Sequence, residues 1–372
     1  MDINSAVLSR YSEGAKEKQS SLCCHVEYDS DLLDLLPEEI IEKDYGCGDP
    51  TGYVKEGDVV LDLGSGSGKV CYMAAQIVGE HGKVTGIDMN DDMLSLARKY
   101  QQEIATKIGS DRVEFLKGQI QDLALDVDAM EKWLLDNPVK DADSLRKFDY
   151  WKKQQKKQSP LIKDNSVTLV VSNCVLNLVD DEQKKQLVSE IYRVLKPGGR
   201  IAISDIISDE PVPQHLKDDE SLWSGCISGA FEELEILKTF SDCGFQAIKF
   251  DKWSSEPWQT VDGIEFRSVT VTATKGEGRE CIDKGHAVIY RGPYSYIRDD
   301  DGHEYFRGER MAVCERTFRF LTEGPHRDDF IGIVPVNVQT PRAWCAPSGT
   351  RRPARDTRGG KHVNQDEGAS CC

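Results

Sequence analysis

A short apolar run, Asp58-Val-Val-Leu-Asp-Leu63, leads straight into Gly64-Ser-Gly-Ser-Gly68 and then into helically spaced apolar residues from Val70 to Val78. No other feature constrains the fold of this chain as much. Glycines between a buried-type strand and a helix let the backbone turn sharply and approach a ligand closely. A second strand, Lys83-Val-Thr-Gly-Ile-Asp88, ends in a carboxylate about twenty residues after the loop, where it can accept two ribose hydroxyls. Further strand-like runs at 112–116, 167–173 and 200–204 alternate with helical stretches around Met93, Leu96 and Ala97 and over 181–195. Strands and helices in that rhythm build a parallel sheet covered on both faces.

The flanks read differently. Residues 1–45 carry apolar helical faces (Leu8, Tyr11, Leu22, Leu32, Leu33, Leu35, Leu36), with Pro37 suited to a first helical turn. Residues 125–164 are a polar insertion whose basic stretch 152–157 suits a solvated helix face. After a helix over 231–242, the runs 245–253 and 264–275 have no helix between them, so an antiparallel hairpin at the sheet edge is expected. Residues 276–345 suggest a small β-rich domain, and 346–372 a disordered tail ending in Cys371-Cys372.

The 47 basic and 64 acidic residues leave a net charge of −17. Such a surface repels phosphate backbones and anionic lipid, so neither nucleic acid nor membrane is an expected partner. No apolar run reaches the ~20 residues of a bilayer span, and the first ten residues lack signal-peptide regions. A cytoplasmic monomer is the expectation. In that setting the twelve cysteines read as reactive or metalloid-binding thiols rather than a disulfide scaffold.

The loop departs from the dinucleotide pattern G-x-G-x-x-G, and Asp62 stands two residues before its first glycine. An acid there suits a cationic ligand better than a diphosphate, and S-adenosylmethionine carries a sulfonium and an ammonium but no phosphate. With Asp88-Met89, Leu195-Lys-Pro-Gly-Gly199 and the terminal antiparallel strands, the pattern resembles class I S-adenosylmethionine-dependent methyltransferases over roughly residues 45–275. The implied fold is α/β: a Rossmann-like class I methyltransferase sheet over 46–275, with a small C-terminal α+β domain.

Four cysteines border this fold. Cys174 ends the strand at 167–173, on the carboxyl edge where ligands of such sheets bind. Trivalent arsenic favours soft thiolates, and its lone pair needs no base to accept a methyl group. The segments Tyr45-Gly-Cys-Gly-Asp49, Gly68-Lys-Val-Cys71, Val171-Ser-Asn-Cys-Val-Leu-Asn177 and Leu222-Trp-Ser-Gly-Cys-Ile-Ser-Gly-Ala230 resemble the cysteine motifs of arsenite S-adenosylmethionine methyltransferases. That resemblance implies that Cys71, Cys174 and Cys226 hold As(III) as substrate, arsenite and then methylarsenite arriving as thiol adducts. It makes Cys47 a redox partner that pairs with Cys71 during turnover. It implies that Asp62, Gly64, Gly66, Asp88, Met89, Ile120 and Asn173 line the S-adenosylmethionine site. Thioredoxin or glutathione would serve as reductant, with no metal cofactor.

Other residues carry weaker signals. Cys243, Cys281, Cys314 and Cys345 read as small packing residues, and Cys23-Cys24 and Cys371-Cys372 as candidates for arsenic capture. Tyr11 and Trp223 are candidates to flank the substrate. His215, His286, His303 and His326 are too scattered for zinc. Two alternatives stay open: a methyltransferase for a quinone or sterol, and a thiol protein that sequesters metalloid without catalysis.

Overall fold

The computed structural model describes residues 3–17, 19, 26, 28–278, 280–336 and 340–357. The chain divides at Gly276 into two compact units.

In the first unit the continuous apolar runs become central strands. The sheet comprises β1 (Val59–Leu63), β2 (Lys83–Asp88), β3 (Val113–Lys117), β4 (Val167–Asn173), β5 (Leu195–Ser208), β6 (Phe245–Trp253) and β7 (Ile264–Lys275), in the order β3-β2-β1-β4-β5-β7-β6. β1 to β5 run parallel, and β7 is antiparallel to both β5 and β6. Two short strands, 231–232 and 259–261, extend the ends of β5 and β7. Val60, Leu61 and Leu63 are fully buried, as a strand covered on both faces requires.

The expected hairpin forms, with β7 inserted inside β6. β7 pairs with β5 from Arg200 to Ser208 on one side and with β6 on the other, which puts β6 at that edge of the sheet. β5 is also longer than the run 200–204, beginning at Leu195 and absorbing the Lys196-Pro-Gly-Gly199 turn.

The unit's named helices are α1 (Ile3–Lys16), α2 (Lys69–Ile77), α3 (Asp91–Lys99), α4 (Val127–Asp136), α5 (Ala142–Gln158), α6 (Asp181–Val194), α7 (Glu220–Ser224) and α8 (Glu233–Asp242). Leu187, Val188 and Ile191 of α6 and Phe240 of α8 pack on one sheet face. Val70 to Ala75 of α2 and Leu94 and Ala97 of α3 pack on the other. The insertion is a pair of helices, α4 and α5, and α5 buries none of its residues. Trp133 stacks on Phe148 and Trp151 there, at 5.7 and 5.4 Å. Pro37 caps the helix 38–42 from outside its first turn. Leu22 and Cys23-Cys24 lie outside the described residues. No helix among the described residues is long and apolar enough to cross a membrane.

The second unit holds β8 (Ile282–Asp283), β9 (Ala287–Tyr290), β10 (Tyr296–Arg298), β11 (Glu304–Phe306), β12 (Met311–Ala312), α9 (Glu315–Glu323), β13 (Phe330–Ile333) and β14 (Arg342–Ala343). β9 lies between β12 and β13 in a three-stranded sheet, over a core that includes Val288, Tyr305, Met311, Leu321 and Phe330. The helix makes this unit α+β. The expected tail from residue 346 must be corrected as far as 357. Arg352 is buried and donates to Asp283 Oδ1 at 2.7 Å, and the Ala312 N–H reaches the Thr350 carbonyl at 2.8 Å. Apolar content alone missed this, because a buried ion pair anchors the segment. Residues 358–372, with Cys371-Cys372, lie outside the described residues.

Candidate active site

Register brings the expected residues to one place. β1 and β4 pair with Leu63 opposite Ser172, and β4 and β5 with Asn173 opposite Ser204. One residue further, the Cys174 N–H donates to the Ser204 carbonyl at 2.8 Å, which leaves Cys174 beside Asp205 at the carboxyl edge of the sheet. A cavity of about 360 Å³ opens there, lined by Asp62, Gly64, Gly66, Asp88, Met89, Ile120, Asn173 and Cys174 among others. That volume suits a nucleoside-sized ligand.

The loop side of the cavity is backbone and acid. Gly64 has φ +67°, and a Cβ there would lie 2.4 Å from Val175 Cγ1, so no larger residue fits. The Gly66 and Asn90 N–H groups donate to the two oxygens of Asp88, each at 2.8 Å. Burial nevertheless raises the Asp88 carboxyl above its ordinary range. Asp62 is only 2% exposed, and burial pushes it up to about 7 although the Cys71 thiol donates to Oδ2 at 3.2 Å. Among the described residues Ser65 Oγ, also lining the cavity, has no hydrogen-bond partner. A buried hydroxyl without a partner and a carboxylate held up by desolvation both gain from a polar, cationic ligand. The site therefore fits a nucleoside bearing positive charge.

α1 roofs the cavity. Asn90 Nδ2 donates to the Leu8 carbonyl at 3.0 Å, the Tyr45 hydroxyl to Gly14 at 3.0 Å, and Arg10 to the Ser221 carbonyl and Ser224 Oγ of α7, each at 2.8 Å. Leu8 and Tyr11 thereby face the cavity, and burial raises the Tyr11 hydroxyl well above its usual range. Trp223 is buried, its indole N–H directed at the Leu178 carbonyl.

Cys47 is disulfide-bonded to Cys174 across 127 residues of sequence, while Cys71, its expected partner during turnover, is in no disulfide here. The approach is built by Asn173. Its Oδ1 accepts from the Cys47 and Gly48 N–H groups at 2.8 and 3.0 Å, while its Nδ2 donates to the Gly48 carbonyl at 2.6 Å and the Tyr28 hydroxyl at 3.0 Å. Ser268 Oγ adds a bond to the Cys47 carbonyl at 2.6 Å. Asn173 lines the cavity, but its amide is taken up by the 46–48 loop. Cys226 joins the pair, sharing their apolar cluster and donating from Sγ to the Cys174 carbonyl at 3.4 Å. Its sulfur stands 4.0 Å from the Tyr11 hydroxyl. Cys71 is fully buried in α2, its thiol raised by burial and by Asp62, and it packs in a different apolar cluster.

Three site features were missed at the sequence level. Cys174 and Cys226 both have left-handed backbone, φ 58° and 63°, a strained conformation for side chains of this kind that concentrates at functional sites. Nothing in composition signals it. Asp205 places a carboxylate oxygen within 4.8 Å of both the Cys47 and Cys174 sulfurs, and burial pushes it up to about 7. Its visible mark was a lone acid inside the apolar run 201–207. Asn177 ties the Cys226 turn to β5, donating to the Ile206 and Cys226 carbonyls at 2.6 and 3.3 Å.

Comparison with known proteins agrees with this architecture. A family model described as a methyltransferase domain matches residues 54–253, and one described as a domain of unknown function matches 277–362. An arsenite methyltransferase of Aquipseudomonas alcaligenes is 32% identical, over 86% of this chain and 87% of its own. The arsenite methyltransferase of Mus musculus is 30% identical, over 87% and 78%. Among solved structures, an arsenic (III) S-adenosylmethionine methyltransferase from Chlamydomonas reinhardtii superposes with a TM-score of 0.56 at 29% identity, covering 84% of this chain and 97% of that one. The glycine loop, the carboxyl-edge thiols and relatives that span most of both chains lead to one assignment: the chain belongs to the arsenite methyltransferase family, on the class I S-adenosylmethionine-dependent methyltransferase fold.

Proposed function

We propose that this protein transfers methyl groups from S-adenosylmethionine to trivalent arsenic held by its own thiolates, first as arsenite and then as methylarsenite. One observation carries the reading: Cys174 and Cys226 meet at the carboxyl edge of the sheet, with Cys174 lining the cavity that contains Asp62 and Asp88. When bound, S-adenosylmethionine supplies an electrophilic methyl group on a sulfonium. Asp62 would complement the ligand's positive charge, Asp88 would hold the ribose, and the Gly64–Gly66 backbone with Met89 and Ile120 would line the rest.

Cys174 and Cys226, with Cys71 as third ligand, would hold the arsenic with its lone pair outward. Recruiting Cys71 would break its bond to Asp62 and free that carboxylate. Each thiol must lose a proton to bind arsenic, and Asp205, near 7 and beside Cys174, is placed to accept one. Arsenic that has given its lone pair to a methyl group must regain two electrons. Attack of the Cys47 thiolate on the arsenic-bound Cys174 sulfur would form the Cys47–Cys174 disulfide and break the arsenic–Cys174 bond, with its electron pair returning to arsenic and only the Cys47 proton released. Exchange with thioredoxin or glutathione would reopen the disulfide. A reducing compartment such as the cytoplasm suits that cycle.

The test is to incubate reduced protein with S-adenosylmethionine, arsenite and a thiol reductant. One S-adenosylhomocysteine should appear for each methyl group found on arsenic. Tight arsenic binding without S-adenosylhomocysteine would instead mean sequestration, and methyl transfer only to a quinone or sterol would mean an organic acceptor. Cys47→Ser is expected to lower the multiple-turnover rate at least about tenfold on both arsenite and methylarsenite, because arsenic must regain two electrons after each methyl transfer. Unchanged rates on both substrates would remove Cys47 from the electron-donor role.

Asp62 also predicts a pH dependence. Its raised value leaves the carboxyl neutral below about 7 and anionic above it. Affinity for the cationic cofactor should therefore rise with pH, about tenfold between about pH 6 and about pH 8 by linkage. Titration calorimetry should show this rise in the wild type and a flat profile in Asp62→Asn. An affinity that falls with pH would contradict the role given to Asp62.

A further inference from the structure

In the C-terminal unit two very short strands close a long loop. β8 and β14 pair antiparallel with Ile282 opposite Ala343, and the Trp344 N–H extends the ladder to the Cys281 carbonyl at 2.8 Å. Cys281 and Cys345, just beyond the strands, bring their sulfurs to 3.0 Å, with Cys281 as donor. Cys345 is exposed and Cys281 half-buried.

A hairpin supplies a third group. In the turn between β10 and β11, the Asp299 N–H bonds the His303 carbonyl at 3.0 Å and the His303 N–H bonds Asp299 Oδ1 at 2.7 Å. Asp299 Oδ2 lies 3.0 Å from His303 Nδ1 and accepts the Tyr305 hydroxyl at 2.7 Å. Carboxylate, imidazole and thiol act in that order: Asp299 fixes the imidazole of His303, whose charge favours the Cys345 thiolate.

The electrostatics agree with that order. Asp299 pushes His303 up to about 9. Hydrogen bonding from Cys281, and then from His303, holds the Cys345 thiol below its usual range. Burial pushes Cys281 up to about 12. One sulfur is biased toward thiolate while its neighbour keeps its proton. Among the described residues no third His, Cys, Asp or Glu ligand atom stands within 4.8 Å of both sulfurs, so the pair does not offer a metal cage.

We propose that Cys345 and Cys281 form a thiol–disulfide exchange centre acting on small disulfides. The Cys345 thiolate attacks one sulfur of the disulfide, forming a mixed disulfide and releasing one thiolate. Cys281 gives up its proton to that thiolate and attacks the Cys345 sulfur, releasing the second thiolate and leaving a Cys281–Cys345 disulfide. The protein dithiol loses two electrons and the substrate disulfide gains them. This assignment concerns the C-terminal unit and does not rest on the methyl-transfer reading.

The test treats reduced full-length protein with glutathione disulfide, quenches with acid and maps the peptides by mass spectrometry. Wild type should give the Cys281–Cys345 disulfide. Cys281→Ser should instead accumulate the glutathione adduct on Cys345, and Cys345→Ser should slow modification of Cys281 at least about tenfold. His303→Gln should slow alkylation of Cys345 about tenfold at neutral pH and move its pH midpoint upward. As a check independent of the variants, Cys345 in the native wild type should alkylate faster than in the same protein unfolded in urea. Slower native alkylation, or adducts on both cysteines with no internal disulfide, would overturn the proposal.

Discussion

Cys226→Ser is expected to lower arsenite methylation at least about a hundredfold, a loss of about 2.7 kcal/mol of transition-state stabilisation, while cofactor affinity changes less than about twofold. The hydroxyl can replace the thiol's hydrogen bond to the Cys174 carbonyl, so the turn should hold its shape. What serine cannot replace is the soft sulfur that trivalent arsenic prefers to oxygen. Single-turnover assays beside equilibrium cofactor binding would separate the two effects. A variant that keeps most of its arsenite activity would remove Cys226 from the ligand set.

The second large effect falls on Asn173. Asn173→Ala removes an amide that satisfies the Cys47 and Gly48 N–H groups and the Gly48 carbonyl. A buried backbone group left without a partner costs about 1–3 kcal/mol, so urea unfolding should show a loss of about 2–4 kcal/mol. Formation of the Cys47–Cys174 disulfide under mild oxidation should slow several-fold, since the loop is no longer held against Cys174. Cofactor affinity should change much less. If affinity collapses while the disulfide forms at the normal rate, Asn173 is a cofactor ligand rather than the anchor of the loop.

Much of the first unit was legible because its signals are local. The strand before Gly64, the glycines themselves and Asp88 lie within one strand–helix–strand unit, where backbone geometry and burial act over a few residues. The cysteine motifs were legible for the same reason, each carrying its own turn. Which thiols meet was not, because that depends on register between distant strands. Asn173 draws Cys47 to Cys174, while Cys71, one helical turn past the glycine loop, is committed to Asp62. Asp205 stayed hidden as one acid in an apolar strand, although a carboxylate oxygen within 4.8 Å of the Cys174 sulfur makes it part of the site. In the second unit Cys281 and Cys345 looked like packing residues because two-residue strands leave no periodicity to read. Their proximity comes from a ladder closed across 64 positions. The ordered segment to 357 was hidden similarly, since a buried Arg352–Asp283 pair holds it.

If the carboxyl-edge thiolates themselves hold the arsenic that is methylated, X-ray absorption at the arsenic edge will show it on reduced protein with one equivalent of arsenite. The expected spectrum is an all-sulfur shell of three neighbours, falling to two with an added oxygen in Cys226→Ser. A shell of oxygen or nitrogen, or a sulfur count unchanged by Cys226→Ser and by Cys174→Ser, would contradict it.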